Sequence, residues 1–595
     1  MLPAGAKLID LRSLAVVDAP STARFVALSY MWPTGGQDHA ARLERANMAL
    51  LSTPRGLNNV QLPPIVSSAV CLAKNLDESY LWIDRFCIIQ DDPDSKQIQI
   101  NAMARIYEAA AFTIIAALDS RDGHSLPGID CPRKSHWGWP PHDVEIEGAS
   151  VKPEVMLSVE RSLWNTRGWT FQESKLSARK LFITELHVAF ECPRGIAYEE
   201  YNHYTCNSPV EPRLPTSLCQ ESSTEPDESE AGINQESQET WQLEQSLIPG
   251  FERRYSGGDA LPSDSTLYWK WAGEYTSREF ADGGDILNAF AGVSDRMGRI
   301  LDCRFFFNVP EKYFAQGLRW NAIGPARKRY EVPSIPSWSW ASCKNGIDFG
   351  WPERSAAPRA FLKESALQDI VSLVRFNIMD RTSGLQAVRC EERWLHEELA
   401  LEEFRQQETI PRSSYNFNPP HHISHQIWSL ICPHNPWTTL EYLALDEKIC
   451  EKAISFPGAL VFNTTMAKLS VRDDGDNEGP GIFGPTGNLA GRVPGLDRTI
   501  YEHGGDRLFD FVVICGGLEN WRSRRSLYKL STMMIGNEQA TDALRWDMYK
   551  SWRLFVLLVE RDVDKDYLFR RIHAGYIYAA RWKMCQPNWQ TVVLI

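Results

Sequence analysis

No CxxC pair, no P-loop lysine motif, no GxSxG elbow and no internal repeat occurs anywhere in the 595 residues. Without the elbow or the P-loop, neither the serine-hydrolase turn nor the glycine-rich phosphate cradle is available as a ready-made active site. The 13 cysteines are odd in number and irregularly spaced. That pattern argues against a disulfide framework and fits reduced thiols. Cys71, Cys87, Cys303 and Cys515 are expected to be small buried apolar residues. Apolar runs such as LFVLLV at 554–559 fall far short of the roughly 20 residues that span a bilayer. The opening MLPAGAKLIDLRSLAVVDAP has no basic head before a long apolar run, so a signal peptide is not expected. A basic surplus is missing too. With a net charge of −13, little is available to displace counterions from phosphates. Neither nucleic acid nor a membrane is expected as a partner, and a soluble, cytoplasmic protein is.

What remains is ample material for folding. The chain is 43% hydrophobic with 21 tryptophans, and its length calls for two or three domains rather than one core. From 24 to 206 strand and helix signals alternate. RFVALSY, YLWID and AFTIIAAL read as strands, and PIVSSAVCLAKNL reads as a helix with proline in its first turn. Asp92 followed by Pro93 predicts an N-cap for a helix through Tyr107, with Ile98, Met103, Ile106 and Ala110 forming most of the buried stripe. SLWNTRGWTFQESKLS reads as a further helix, and KLFIT with HVAFEC as a closing hairpin. The order implies an α/β fold, a mostly parallel sheet flanked by helices.

Residues 207–247 are polar, acidic and poor in apolar anchors, which predicts a disordered linker or insertion. Residues 248–350 read as a helical extension in two pieces around Gly283–Gly284, ending in a strand, PSIPSWSWAS, with Trp338 and Trp340 on one face. Residues 351–595 read as a mixed α+β region, with strands in FDFVVICGG, WRLFVLLVERD and WQTVVLI and a charged helix in EERWLHEELALEEFRQQ. GPGIFG at 479–484 satisfies GxGxxG literally, but it contains Pro480 and opens no helix, so no dinucleotide fingerprint is assigned. HHISH with Cys432 and His434 matches no standard zinc spacing, and no metal is expected.

Three segments carry the polar residues that matter most. ALSYMW ends a strand on Tyr30 and Trp32, LWIDRFCIIQDD ends one on Asp84, and RGWTFQES places Arg167, Trp169, Gln172 and Glu173 at a helix start. Ligands of open parallel sheets gather beyond the carboxyl ends of the strands, where Tyr30 and Asp84 should both fall. Asp84 either lines that edge or caps a loop. Trp32, Trp164 and Trp169 either pack a core or meet a ligand. Trp169 and Glu173 are four residues apart, so one helical turn puts them on the same face.

These three blocks, in this order, resemble the signature segments of the heterokaryon-incompatibility (HET) domain of filamentous fungi. YTSREFADGGDILNAFAGVSDRM and IPSWSWAS resemble the stretch that commonly trails it. Ile89 stands where the family usually has Asn, and Pro33 where Gly usually follows the tryptophan. The resemblance implies a role in non-self recognition that triggers cell death, with an unknown protein partner. It also implies a distant kinship to TIR domains, some of which assemble to cleave NAD and carry a glutamate four residues after a tryptophan. Under that kinship NAD is a substrate rather than a cofactor, Glu173 is the catalytic carboxylate and self-association accompanies activity. Tyr30, Trp32, Asp84, Arg167, Trp169 and Gln172 then bind substrate. The alternatives are a non-catalytic signalling module, or a degenerate HET protein with an accessory role.

Overall fold

The computed structural model describes residues 2–32, 41–119, 125–133, 154–199, 204–205, 264–324, 335–349, 371–394, 445–518 and 552–595, with short breaks at 4, 281, 391–392, 477 and 503–506. Pro33, the 207–247 segment, and HHISH with Cys432 and His434 lie outside the described residues. The chain divides into two compact units, the first of residues 1–261 and 278–296 and the second of residues 262–277 and 297–595.

The first unit is built on a nine-stranded sheet. Its strands are β1 (Lys7–Asp10), β2 (Ala15–Asp18), β3 (Val26–Ser29), β4 (Tyr80–Trp82), β5 (Thr113–Ala116), β6 (Lys180–Ile183), β7 (Val188–Cys192), β8 (Gly195–Tyr198) and β9 (Tyr204–Thr205). They lie in the order β2-β1-β4-β3-β5-β6-β7-β8-β9. The four central strands β4, β3, β5 and β6 are parallel, and β3 and β5 are buried along their whole length. This is why VALS and TIIA read as continuous apolar runs instead of alternating ones. Antiparallel hairpins extend both sides, β1–β2 beside β4 and β6 through β9 at the far edge. The β1–β2 hairpin lies ahead of the first strand assigned from sequence.

The helices of this unit are α1 (Met48–Leu51), α2 (Pro64–Asn75), α3 (Asp84–Cys87), α4 (Pro93–Ala109), α5 (Glu154–Arg161) and α6 (Gly168–Leu176). As expected, α2 starts on proline and Asp92 caps α4 by accepting the Ser95 N–H at 3.2 Å. Two expectations fail here. Ile98 is 58% exposed, and Gln99 turns inward in its place. The buried line runs through Gln99, Met103, Ile106 and Ala110, and Ile98 sits about 100° round the helix from Gln99. The stretch from Ser162 to Ser177 is not one helix either. A 3₁₀ turn at Trp164–Thr166 gives way to an extended Arg167 (φ −85°, ψ 142°) before α6 begins. The backbone around Arg167 bridges instead to Glu279, whose N–H donates to the Thr166 carbonyl at 2.7 Å and whose carbonyl accepts from Gly168 at 3.0 Å.

The second unit contains α7 (Asp264–Thr276), while α8 (Asp285–Leu301) begins in the first unit and ends in the second. These are the two helical pieces expected around Gly283–Gly284. PSIPSWSWAS is not a strand. Its described part is a turn followed by a 3₁₀ segment, Trp340–Ser342, started by the Ser339 side chain. Pro336 has no N–H for a ladder, and both indoles are fully buried with partners in different directions. Trp338 donates to the Gly458 carbonyl at 3.1 Å, and Trp340 donates to the Tyr268 hydroxyl at 3.0 Å. Within the predicted charged helix, Arg393–Trp394 is a short strand instead, paired in parallel with Val371–Ser372.

The largest feature of this unit is an eleven-stranded sheet whose pairings close on themselves. Leu460–Arg472, Gly481–Phe483, Leu489–Arg492, Leu568–Tyr578, Trp552–Arg561 and Leu508–Leu518 pair in that order, and the last returns to the first. Asn588–Leu594 pairs with the start of Leu460–Arg472 and with the start of Leu568–Tyr578. Val513, Leu558, Ile577 and Trp582 belong to its core. Of the cysteines expected to be buried, Cys87 and Cys515 are, whereas Cys71 and Cys303 are only half-buried.

Candidate functional site at the carboxyl ends of the parallel strands

β3 and β4 are neighbours and parallel, so Ser29 and Tyr30 leave the sheet on the same side as Asp84. Asp84 is the first residue of α3 and is half-buried. Its Oδ1 accepts from Trp32 Nε1 at 3.2 Å and from the Arg85 N–H at 2.7 Å. Oδ2 has no hydrogen-bond partner among the described residues. Burial pushes the carboxyl up to about 6 against the opposing pull of these donors and of Arg167. The two acids downstream have other tasks. Asp91 accepts the Arg45 N–H at 2.9 Å, and Asp92 pairs with the Arg45 guanidinium at 2.9 Å. The run of carboxylates after β4 therefore splits into one facing the strand ends and two that hold chain.

Glu173 lies in the middle of α6 and is 6% exposed. Its Oε2 accepts a short hydrogen bond from the Ser29 hydroxyl, and Trp164 Nε1 donates to that same hydroxyl at 2.7 Å. The Tyr107 hydroxyl, carried by α4, donates to the Leu28 carbonyl at 3.5 Å and is close enough to Glu173 to favour its ionised form. Burial pushes the Glu173 carboxyl up to about 7. The Asp84 charge pushes the same way, while Ser29, Arg167 and Tyr107 pull it down. Tyr107 is raised well above its ordinary range by burial and by both carboxylates, with a smaller push from Tyr30. Asp84 and Tyr107 thus act on Glu173 electrostatically at one end of the parallel strands, and Tyr30 acts on Tyr107. Arg167 acts on both carboxylates without approaching to ion-pair distance.

Two candidate residues face elsewhere. Trp169 Nε1 donates to Asp285 at 3.1 Å, and Gln172 Oε1 accepts the Gly292 N–H at 2.9 Å, so both bind α6 to α8. Phe171 stacks on Phe290 with ring centroids 5.9 Å apart. Arg278 donates to the Arg167 carbonyl at 3.0 Å and lies over the Phe171 ring. Residues 278–292 therefore brace the helix that carries Glu173. Trp32 stays near the site, its ring under the Arg85 guanidinium at 4.8 Å.

Ser29 and Tyr107 were not assigned to the site from sequence, and Trp164 was left between core packing and ligand contact. Ser29 is the one polar side chain of β3, which is buried throughout. Paired carboxyls with raised pKa values at a sheet's ligand-binding edge form an arrangement suited to acid–base work or to stabilising a developing cation. No group of three or more His, Cys, Asp or Glu side chains among the described residues is placed to hold a metal, and no described helix is long and apolar enough to cross a membrane.

Comparison with known families gives one match. Residues 25–173, from the residue before β3 to Glu173 itself, match the family model described as Heterokaryon incompatibility protein (HET). Searches of curated proteins and of solved structures return no match.

Proposed function

We propose that the N-terminal unit is the effector module of a fungal non-self recognition reaction ending in cell death, and that it hydrolyses NAD at the nicotinamide–ribose bond in the manner of TIR-type enzymes. The observation that supports this reading is Glu173 bonded to Ser29 at the carboxyl end of β3, within electrostatic reach of Asp84 beyond the neighbouring β4, with Tyr30 next in the chain after Ser29. In the reaction the C1′–N bond breaks, and its electron pair neutralises the pyridinium as nicotinamide leaves. The sugar passes through an oxocarbenium-like state. Water then adds at C1′ and gives up a proton. Ionised Glu173 stabilises the cationic sugar, and Asp84 orients ribose hydroxyls through Oδ2. The Tyr30 or Trp32 ring stacks on the substrate, and Arg167 meets its phosphate. Trp169 and Gln172, which the sequence placed among the substrate contacts, serve here by holding α6.

The test is nicotinamide release from NAD by the full chain at concentrations high enough for self-association. Wild type should turn over, and Glu173→Gln should fall by about 100-fold or more. No release from the assembled wild-type protein, with toxicity retained by Glu173→Gln, would overturn the enzymatic reading. One observation favours a second reading. Glu173 is almost closed off from solvent, as expected of a carboxylate that organises a signalling surface without chemistry. That reading predicts toxicity independent of Glu173 ionisation.

A further inference from the structure

We propose that Ser29 is a positioning residue for Glu173, the middle member of a one-way donor chain that runs from Trp164 through Ser29 to the carboxylate. The inference rests on the reading of Glu173 as the working carboxylate, and it adds how that carboxylate is kept ionised in a dry site.

The direction of the chain follows from chemistry. An indole N–H only donates, whereas a serine hydroxyl has one proton and two lone pairs. Trp164 Nε1 lies 2.7 Å from Ser29 Oγ, so Ser29 accepts there and its own proton must point elsewhere. The other near neighbour of that oxygen is Glu173 Oε2. Ser29 therefore presents a proton to Glu173, and Oε2 is held as an acceptor. All three side chains are buried, which leaves little water to substitute for a missing donor. Each is fixed by a different element, Ser29 by the last position of β3, Trp164 by the 3₁₀ turn, and Glu173 by α6. The Ser177 hydroxyl donates to the Glu173 carbonyl at 2.7 Å and anchors the backbone below.

The charged and titratable groups acting on Glu173 come from three places. Asp84 from α3 disfavours ionisation, while Arg167 at the start of α6 favours it. Tyr107 from α4 favours it too, and Tyr30, which follows β3, acts on Tyr107. Burial and Asp84 would together keep the carboxyl neutral near pH 7, where it cannot stabilise a cation. Ser29 is the largest single influence in the other direction. Tyr107 gives a softer contribution, because its hydroxyl also has the Leu28 carbonyl within 3.5 Å. A proton arriving on Glu173 leaves the Tyr107–Leu28 bond in place, whereas it forces Ser29 to turn its own proton away from its nearest acceptor.

The experiment compares wild type with Ser29→Ala, Ser29→Cys and Trp164→Phe in the full chain, by two readouts. One follows the Glu173 carboxyl directly, by infrared absorption of the carboxylate across pH with Glu173→Gln as the blank. The other follows nicotinamide release against pH. Ser29→Ala should move the carboxyl midpoint up by about one pH unit, a tenfold change in protonation, and move the acid limb of nicotinamide release with it. Ser29→Cys, a weak donor of similar size, should fall between, and it carries the test alone should Ser29→Ala not fold. Trp164→Phe should give a smaller upward move, because it frees the hydroxyl to rotate. An unmoved midpoint in Ser29→Ala or Ser29→Cys overturns the proposal. A moved midpoint in protein that never releases nicotinamide upholds the donor chain and removes only the NAD reading.

Discussion

At the scale of single residues, the buried carboxyls make stability depend on pH in a direction opposite to that of an ordinary salt-bridged acid. Glu173 rises from an ordinary 4.5 to about 7, and Asp84 from 3.8 to about 6. Between those limits the folded chain keeps protons that the unfolded chain has released. Their contribution to stability is therefore complete below the unfolded values and is lost as pH climbs through the folded ones. Glu173→Gln removes the larger share of that loss. Denaturant unfolding at pH 5 and at pH 8 should show wild type losing about 2.5 kcal/mol more than the variant over that interval. Parallel profiles for the two proteins would mean that Glu173 is not held in a dry site. Asp84 and Tyr30 drew notice in the sequence because acids and aromatics next to apolar strands are conspicuous, and Glu173 did so through its spacing from Trp169 and the family resemblance. Ser29 and Tyr107 were not. One ends an apolar strand and the other continues an apolar stripe, so their polar atoms look incidental until their neighbours are in place.

At the scale of elements, α6 is positioned by its surroundings more than by its own sequence. Arg167 breaks the run because its backbone pairs with Glu279, and Gly168 permits the approach. A Cβ at 168 would stand 1.9 Å from the Phe280 ring. Gly168→Ala should therefore destabilise by about 2 kcal/mol, read as a lowered melting temperature. Gly284→Ala, whose added carbon meets only the exposed Asp282 carboxylate at 3.3 Å, should change little. Equal effects would contradict the close packing at Phe280. Helix starts marked by local chemistry, Pro64 in α2 and Asp92–Pro93 in α4, could be read directly, since capping needs only neighbours in the chain. The break at Arg167 could not, because its cause lies far along the sequence. The same holds for PSIPSWSWAS. Its alternating tryptophans look like a strand, yet each indole is claimed by a different distant partner.

At the scale of the whole molecule, the chain resolves into two units with unlike sheets. One is open and parallel at its centre, and the other contains a closed antiparallel ring of six strands. Closure leaves the six strands of the ring without a free edge where they pair, and the core depends on large residues such as Trp582. That indole is fully buried and donates to Thr465 at 3.1 Å. Trp582→Ala should cost about 3–5 kcal/mol. The loss should appear as faster amide exchange along Leu508–Leu518, Trp552–Arg561 and Leu568–Tyr578. Unchanged protection in those strands would show that the ring does not rest on this residue.

By itself the sequence determined what local chemistry determines. This includes the apolar runs that become the central strands, the capped starts of α2 and α4, the paired helices around Gly283–Gly284, and acids at the strand ends. The tertiary structure alone decided which strands close into a ring, which tryptophans turn to a neighbouring helix, and which hydroxyls meet Glu173. Those outcomes depend on contacts between residues far apart in the chain, and on burial, which changes a carboxyl's charge only once the surrounding protein has displaced the water.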